Sequence, residues 1–302
     1  MFQLLVRPAA ALLMLFVGLI SPAAAQFDMV VTISNPTSFT PVQLQILEKA
    51  VDRAEFAWER VITGYQPGIN ITQMPISIFG QTSGFANASV TGSTNQGGYN
   101  LSTSGRVNIN RLILEEFSNF EVDEEVAEFP GQRANVIDEL VAHEIGHVLG
   151  IGTKWSQIQN GVRPYTNGTG RYVGEHGLRA YRKEFNLPDA EFVPVELAGS
   201  SGSANTHWDQ CFRSQEDCFD PAHGDPGDPF EEDPRLGIVD DHGRDFGLAV
   251  MSAAVDPDWG DPFLTLTTIH ALRDLGFTTV PEPATAGLLI AAGAGILFSC
   301  RR

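Results

Sequence analysis

His143-Glu144-Ile145-Gly146-His147 sets two imidazoles one helical turn apart with a carboxylate between them. On a helix both rings leave the same face, so a single metal ion can touch both, and zinc is the ion this H-E-x-x-H spacing commonly holds. Glu144 lies ~60 to 100° around the helix from the two rings, badly placed as a third ligand but within reach of a water on the metal. That position gives Glu144 the proton-transfer role, as general base. A zinc site that performs hydrolysis needs a third protein ligand and one open position for water. His176, His207, His223, His242 and His270 are available, and Glu175 is the leading carboxylate alternative because a short helix follows it.

A helix is needed to hold the pair, and its pattern spans Ala134 to Leu149. Ile137, Val141, Ile145 and Val148 form one stripe, while Leu140, His143 and His147 fall nearly opposite, so one face is expected in a core and the other at a site. Gly150 stops the helix and Gly152 is expected to keep the chain flexible as it turns away. Upstream, Asp28 to Ile33 reads as a strand. A helix then starts with Thr40 as N-cap and Pro41 at its first position, burying Leu44, Leu47, Val51, Ala54, Trp58 and Val61. Pro75 to Phe79 and Val107 to Ile109 read as strands, with irregular turns and edge structure from Gly80 to Gly105. Beyond Thr153 the signals weaken to helices around Leu178 to Phe185 and Leu266 to Leu275, and an acidic Pro- and Gly-rich segment from Asp209 to Asp245. The expected class is α+β: a twisted mixed sheet with two long helices, then a loop-rich lobe after Gly150, meeting at the metal. His176 reads as a solvated histidine at a helix start, and His270 as structural or partly exposed.

The 302 residues are 43% hydrophobic, enough for a substantial core. With 37 acids against 19 Lys and Arg the net charge is -18, which argues against a nucleic-acid partner. Residues 1–25 carry Arg7, the apolar run Ala9 to Ile20 and Ala23-Ala24-Ala25, the pattern of a secretory signal peptide, so the body of the protein is residues 26–280. Residues 281–302 join Pro281-Glu282-Pro283 to an apolar stretch ending in Arg301-Arg302. A retained tail anchor is one reading. The arrangement also resembles the PEP-CTERM sorting signal of Gram-negative bacteria, which implies transient membrane contact, removal by an exosortase-type processing enzyme and a cell-surface or extracellular destination. Cys211 and Cys218 lie close enough to pair in an oxidising compartment, and no cysteine precedes the helix to serve as a latency switch. The acidic segment has no D-x-[DN]-x-[DN]-G loop, so solvated loop is preferred to a Ca2+ site there.

Metzincin peptidases extend the motif to H-E-x-x-H-x-x-G-x-x-H, but here the last place is held by Thr153. The chain from about Phe27 to Phe277 is similar to the leishmanolysin-like branch, which inserts a long segment before its third histidine. The likeness rests on Val141 to Trp155, on Tyr172-Val173-Gly174 with Ala180-Tyr181, on His207-Trp208 and on Met251-Ser252. The resemblance implies a two-lobed zincin in which His207 is the third ligand of one catalytic Zn2+, Gly150 permits the turn after the helix, and Met251 packs beneath the histidines without binding metal. It also implies an exported endopeptidase with an extended cleft for a protein or peptide substrate. The chain departs from the family in its long acidic segment, which keeps His223 and His242 as outside candidates, and in lacking a tyrosine two residues after Met251. An inactive surface-binding protein and a zinc amidase or deacetylase for a small substrate are the alternative functions.

Overall fold

Thr40 Oγ1 accepts the Gln43 N–H, Gln43 Oε1 accepts the Thr40 N–H, and Pro41 takes the first helical position, where no N–H is needed. The computed structural model describes residues 27–122, 134–197, 202–209, 237–253 and 262–281. The leader 1–25, Cys211, Cys218, His223, most of the acidic segment and the tail after Pro281 lie outside the described residues. Among the described residues no helix is long and apolar enough to cross a membrane.

The chain is a mixture of helix and sheet with five α-helices among the described residues. β1 (Met29–Ile33) leads to α1 (Pro41–Val61), β2 (Ile62–Tyr65), β3 (Met74–Gln81), β4 (Ala86–Gln96) and β5 (Tyr99–Asn110). After α2 (Leu114–Phe117) and the short pair β6 (Glu121–Val122) and β7 (Ala134–Asn135) come α3 (Val136–Leu149), β8 (Arg171–Tyr172), α4 (Glu175–Glu184) and β9 (Val193–Pro194). α5 (Leu266–Asp274) and β10 (Phe277–Thr279) complete the order. The main sheet is mixed, in the order β1-β3-β5-β4, with β1, β3 and β5 parallel and β4 antiparallel at the edge.

The stretch expected to hold irregular turns and edge structure, Gly80 to Gly105, contains most of the long β4–β5 hairpin, with β4 at the sheet edge. Its two-residue loop is Gly97-Gly98, both at positive φ, which matches the twist of the flanking strands. The strands went unseen because β4 alternates small residues with Ser, Thr and Asn, half-buried on one side and exposed on the other. The period of two is there, but its apolar face is too weakly hydrophobic to stand out.

α3 is the spine of the molecule, and every one of its residues is buried. It therefore has no water-facing side, as a helix with one face in a core and the other at a site requires. Its N-terminus is closed by Asn135, whose Oδ1 accepts the N–H groups of Ile137 and Asp138 while Asp138 Oδ2 accepts the Asn135 N–H. The same Asp138 oxygen meets Arg53 of α1 at 2.5 Å, in a buried ion pair. Trp58 Nε1 donates to the Ala142 carbonyl at 2.9 Å, one residue before His143, so α1 fixes both the start and the middle of α3. Farther along, α4 and α5 cap each other. Glu184 accepts the N–H groups of Leu266 and Thr267 at one end, and Asp274 accepts those of His176 and Gly177 at the other.

Gly105 of β5 lets α3 settle onto the sheet, because a Cβ there would overlap the Val148 side chain. Gly105→Ala is expected to lower unfolding free energy by about 1–3 kcal/mol through overpacking. Adding Val148→Ala should recover part of that loss, and urea unfolding of both variants checks the pair.

Candidate metal centre

Three imidazoles converge where α3 meets two distant loop segments. His143 Nε2 lies 3.1 Å from His147 Nε2 and 3.1 Å from His207 Nε2, and the His147 and His207 Nε2 atoms are 3.0 Å apart. All three rings are buried. The opposite ring nitrogen of each faces a backbone carbonyl: His143 Nδ1 to Val250 at 2.6 Å, His147 Nδ1 to Ile151 at 3.0 Å and His207 Nδ1 to Ser203 at 2.9 Å. A carbonyl only accepts, so each Nδ1 carries the hydrogen and each Nε2 presents a lone pair. Three lone pairs then point at one another with no proton between them. Burial and the neighbouring rings hold them in that state: His143 is pulled down to about 3, first by desolvation and then by His147, and His147 and His207 are also lowered, chiefly by desolvation. A cation resolves the conflict, and the three histidines could hold one metal ion. Each side of the nitrogen triangle is shorter than the ~4 Å that would separate two nitrogens on opposite sides of a single zinc, at ~2.0–2.1 Å per bond. The carbonyl partners are the outer contacts that orient histidine ligands in metal sites.

Glu144 shares the helix with two of the rings and is itself buried. Its Oε2 has no hydrogen-bond partner among the described residues, and desolvation pushes its pKa up to about 8. Burial thus favours the neutral carboxyl of Glu144, and a positive charge nearby would return it to the carboxylate.

Among the described residues, the other sequence candidates are not brought to the triad; His223 lies outside them. Glu175 heads α4 with its side chain 82% exposed and Arg179 at 3.9 Å. His176 is half-buried beside it, with Arg179 Nη2 at 3.0 Å from its Nδ1. His242 is exposed. His270, expected to be structural or partly exposed, is fully buried in α5. Thr153, in the place the short metzincin motif gives to a histidine, donates its hydroxyl to the His147 carbonyl at 2.7 Å and so closes the helix end.

Glycines set the spacing. Gly150 ends α3 at φ 121°. Gly146, between the two helical histidines, has no room for a side chain: a Cβ would overlap Met251 Sδ and lie 3.0 Å from Trp58 Cζ2. Met251 is thus buried against the ligand helix, on a turn closed by the Ser252 N–H to the Ala249 carbonyl at 2.8 Å. The residue before it supplies the carbonyl that orients His143. Gly152 is not a flexible joint. It holds a left-handed φ of 73°, and a Cβ there would overlap the Thr206 carbonyl, so its bare backbone admits the segment that delivers His207.

Asn205 holds that segment from the other side, although nothing in its type or spacing singled it out. Its own φ is 68°, its N–H donates to the Glu196 carbonyl, and its Oδ1 accepts from Tyr165 Oη and the Gly168 N–H, both at 2.6 Å. The adjoining Trp208 is buried against Trp155, Tyr172 and Phe246, and its N–H donates to the Met251 carbonyl. No protein-family model matches the chain, and no curated protein matches it.

Two outcomes follow from this geometry. Gly152→Ala is expected to lose metal on dialysis against a mild chelator, because the strained φ and the blocked carbonyl displace His207. Gly161→Ala is the control: it carries a similar φ of 83° but has nothing within 4 Å, so metal content should stay near that of the parent. Because burial lowers all three rings below the usual imidazole range, His143 to about 3, protons compete less well for the three Nε2 atoms while the protein is folded. Metal should remain bound at pH 5, and metal release with a midpoint near 6.5 in a still-folded protein would contradict this.

Proposed function

We propose that this protein is a zinc-dependent endopeptidase of the metzincin type, most similar in design to the leishmanolysin-like branch. The observation that carries the reading is the convergence of three neutral histidine Nε2 atoms, with Glu144 buried on the helix that bears two of them and one of its carboxyl oxygens unpartnered among the described residues. An all-imidazole set suits zinc, and three ligands leave an open position for water. A bound zinc ion supplies Lewis acidity, lowering the pKa of its water toward 7 and polarising the scissile carbonyl.

The chain's own residues do the rest. His143, His147 and His207 bind through Nε2, each held in one tautomer by its carbonyl partner. A positive charge in the cluster offsets the desolvation that raises Glu144 and returns it to the carboxylate form needed to accept a proton. Glu144 takes the proton of the attacking water and later gives it to the leaving amine. Met251 does not ligate. It packs on α3 at Gly146 and so fixes the height of the helix against the turn that orients His143.

A peptide is the preferred substrate because β4 is the terminal strand of its sheet and packs beside α3. An edge strand offers unpaired main-chain groups to an extended chain, which a small amide would not use. The leader at 1–25 and the PEP-CTERM-like tail support action outside the cytoplasm, at the cell surface or released from it.

Glu144→Gln is expected to keep its metal and lose about 10²–10⁴-fold in kcat on a peptide substrate, since it removes only the proton carrier. His207→Ala should lose metal and turnover together, while Glu175→Ala and His242→Ala keep both. Metal analysis alongside a fluorogenic peptide assay reads all four variants. Hydrolysis that survives Glu144→Gln, or zinc lost from Glu175→Ala and retained by His207→Ala, would sink the proposal.

A further inference from the structure

Lys154 is a buried cation that this chemistry leaves unused. The residue is only 8% exposed, and its Cβ and Cγ lie against Gly150 at the end of α3. Nζ donates to Ser93 Oγ at 2.6 Å and to Asn100 Oδ1 at 2.8 Å. Both partners are neutral, and no carboxylate of the described residues lies within ion-pair distance of Nζ. Burial lowers the lysine pKa, the direction expected for a charge taken from water without an anion in exchange.

The acceptors are built in place. The Asn100 N–H donates to Gln159 Oε1 at 2.9 Å, Asn100 Nδ2 donates to Asn95 Oδ1 at 2.9 Å, and Gln159 Nε2 donates to the Lys154 carbonyl at 3.2 Å. With its amide nitrogen committed, Asn100 can offer Lys154 only its oxygen. Two of the three ammonium hydrogens are thereby fixed, and the third is left for another acceptor. Its location bears on the site. The Lys154 N–H bonds the Gly150 carbonyl, and Thr153 beside it bonds the His147 carbonyl, so the lysine is tied to the end of the helix that carries His147. Its head meets Ser93, an exposed residue of the edge strand β4.

We propose that Lys154 forms a subsite for a carboxylate of the peptide substrate, at the β4 edge. The inference rests on the peptidase reading and deepens it. A chain of net charge -18 repels acidic peptides in general, so a pre-oriented ammonium at the edge strand proposed to receive the peptide would select one acidic position against that background. A purely structural tie between β4 and the end of α3 would need only hydrogen bonds, and a neutral side chain would supply them without the cost of burying a charge.

The test uses the mature, zinc-loaded protein and pairs of fluorogenic peptides that differ only by Glu or Gln, placed in turn at each of the positions flanking the scissile bond. The parent is expected to favour the Glu member by about tenfold in kcat/KM at one position, the scale of one charge-assisted hydrogen bond. Lys154→Met should bring that ratio to about one, with Lys154→Gln as the second variant where the first does not fold. A parent ratio near one at every position overturns the subsite, as does a ratio that persists in the variants while both rates fall together. Failure of every peptide to show Glu144-dependent hydrolysis overturns the peptidase reading and the subsite with it.

Discussion

Three imidazole lone pairs meeting within 3.1 Å repel one another, and burial opposes the uptake of a proton that would relieve the conflict. A cation is the economical solution, since it turns the repulsion into three bonds. The carbonyls that create this state belong to Ile151, Ser203 and Val250, which come from three separate stretches of chain. The cluster is therefore only as well formed as the packing of those stretches on one another. Two histidines arrive together because a helix turn delivers them, whereas the third comes from 60 residues beyond His147 and depends on everything between.

What brings the stretches together is chiefly the omission of side chains. Gly105, Gly146 and Gly152 mark the approach of α3 to the sheet, of Met251 to α3, and of Thr206 to the helix exit. At the first two the neighbour is a side chain, which can move a little. At Gly152 the neighbour is a backbone carbonyl, which cannot, and the left-handed φ excludes most other residues in any case. The H-E-x-x-H pattern supplies ligands, but these three absences determine whether the ligands meet.

The parts of this arrangement that were legible in the sequence are the local ones. Thr40 and Pro41 start α1, the apolar stripe through Trp58 is its buried face, and His143, Glu144 and His147 fall on α3, all from spacings of a few residues. His207 is different. Spacing leaves it equal to the other histidines, and only the resemblance to the leishmanolysin-like branch separates it from them, yet among the described residues it is the one the fold sets against the helical pair. Gly152 looked like a flexible joint because a glycine's sequence neighbours do not reveal which distant backbone lies against it. The β4–β5 hairpin was hidden by its composition, although Gly97-Gly98 between alternating residues was the signal that could have found it. His270 was undecided because its burial comes from how α5 packs, not from the pattern around it.

The third ligand also closes a mechanical circuit. Trp208 bonds Thr268 of α5 through its Nε1 at 2.8 Å, α5 and α4 cap each other through Glu184 and Asp274, and β10 after α5 pairs with β2 at the end of α1. α1 in turn holds α3 through Arg53 and Trp58, and α3 carries the other two ligands. A metal bound by all three histidines therefore joins two ends of one continuous path, the helix spine and the loop segment reached through α5. Binding energy at such a point acts on the whole circuit, because the ion contacts the folded arrangement and has no equivalent site in a chain whose loops have come apart. This explains how the segment bearing His207 can hold a histidine to the tolerance a metal requires: Trp208 ties it to α5, Gly152 admits it to the end of α3, and a bound ion would fix the histidine itself.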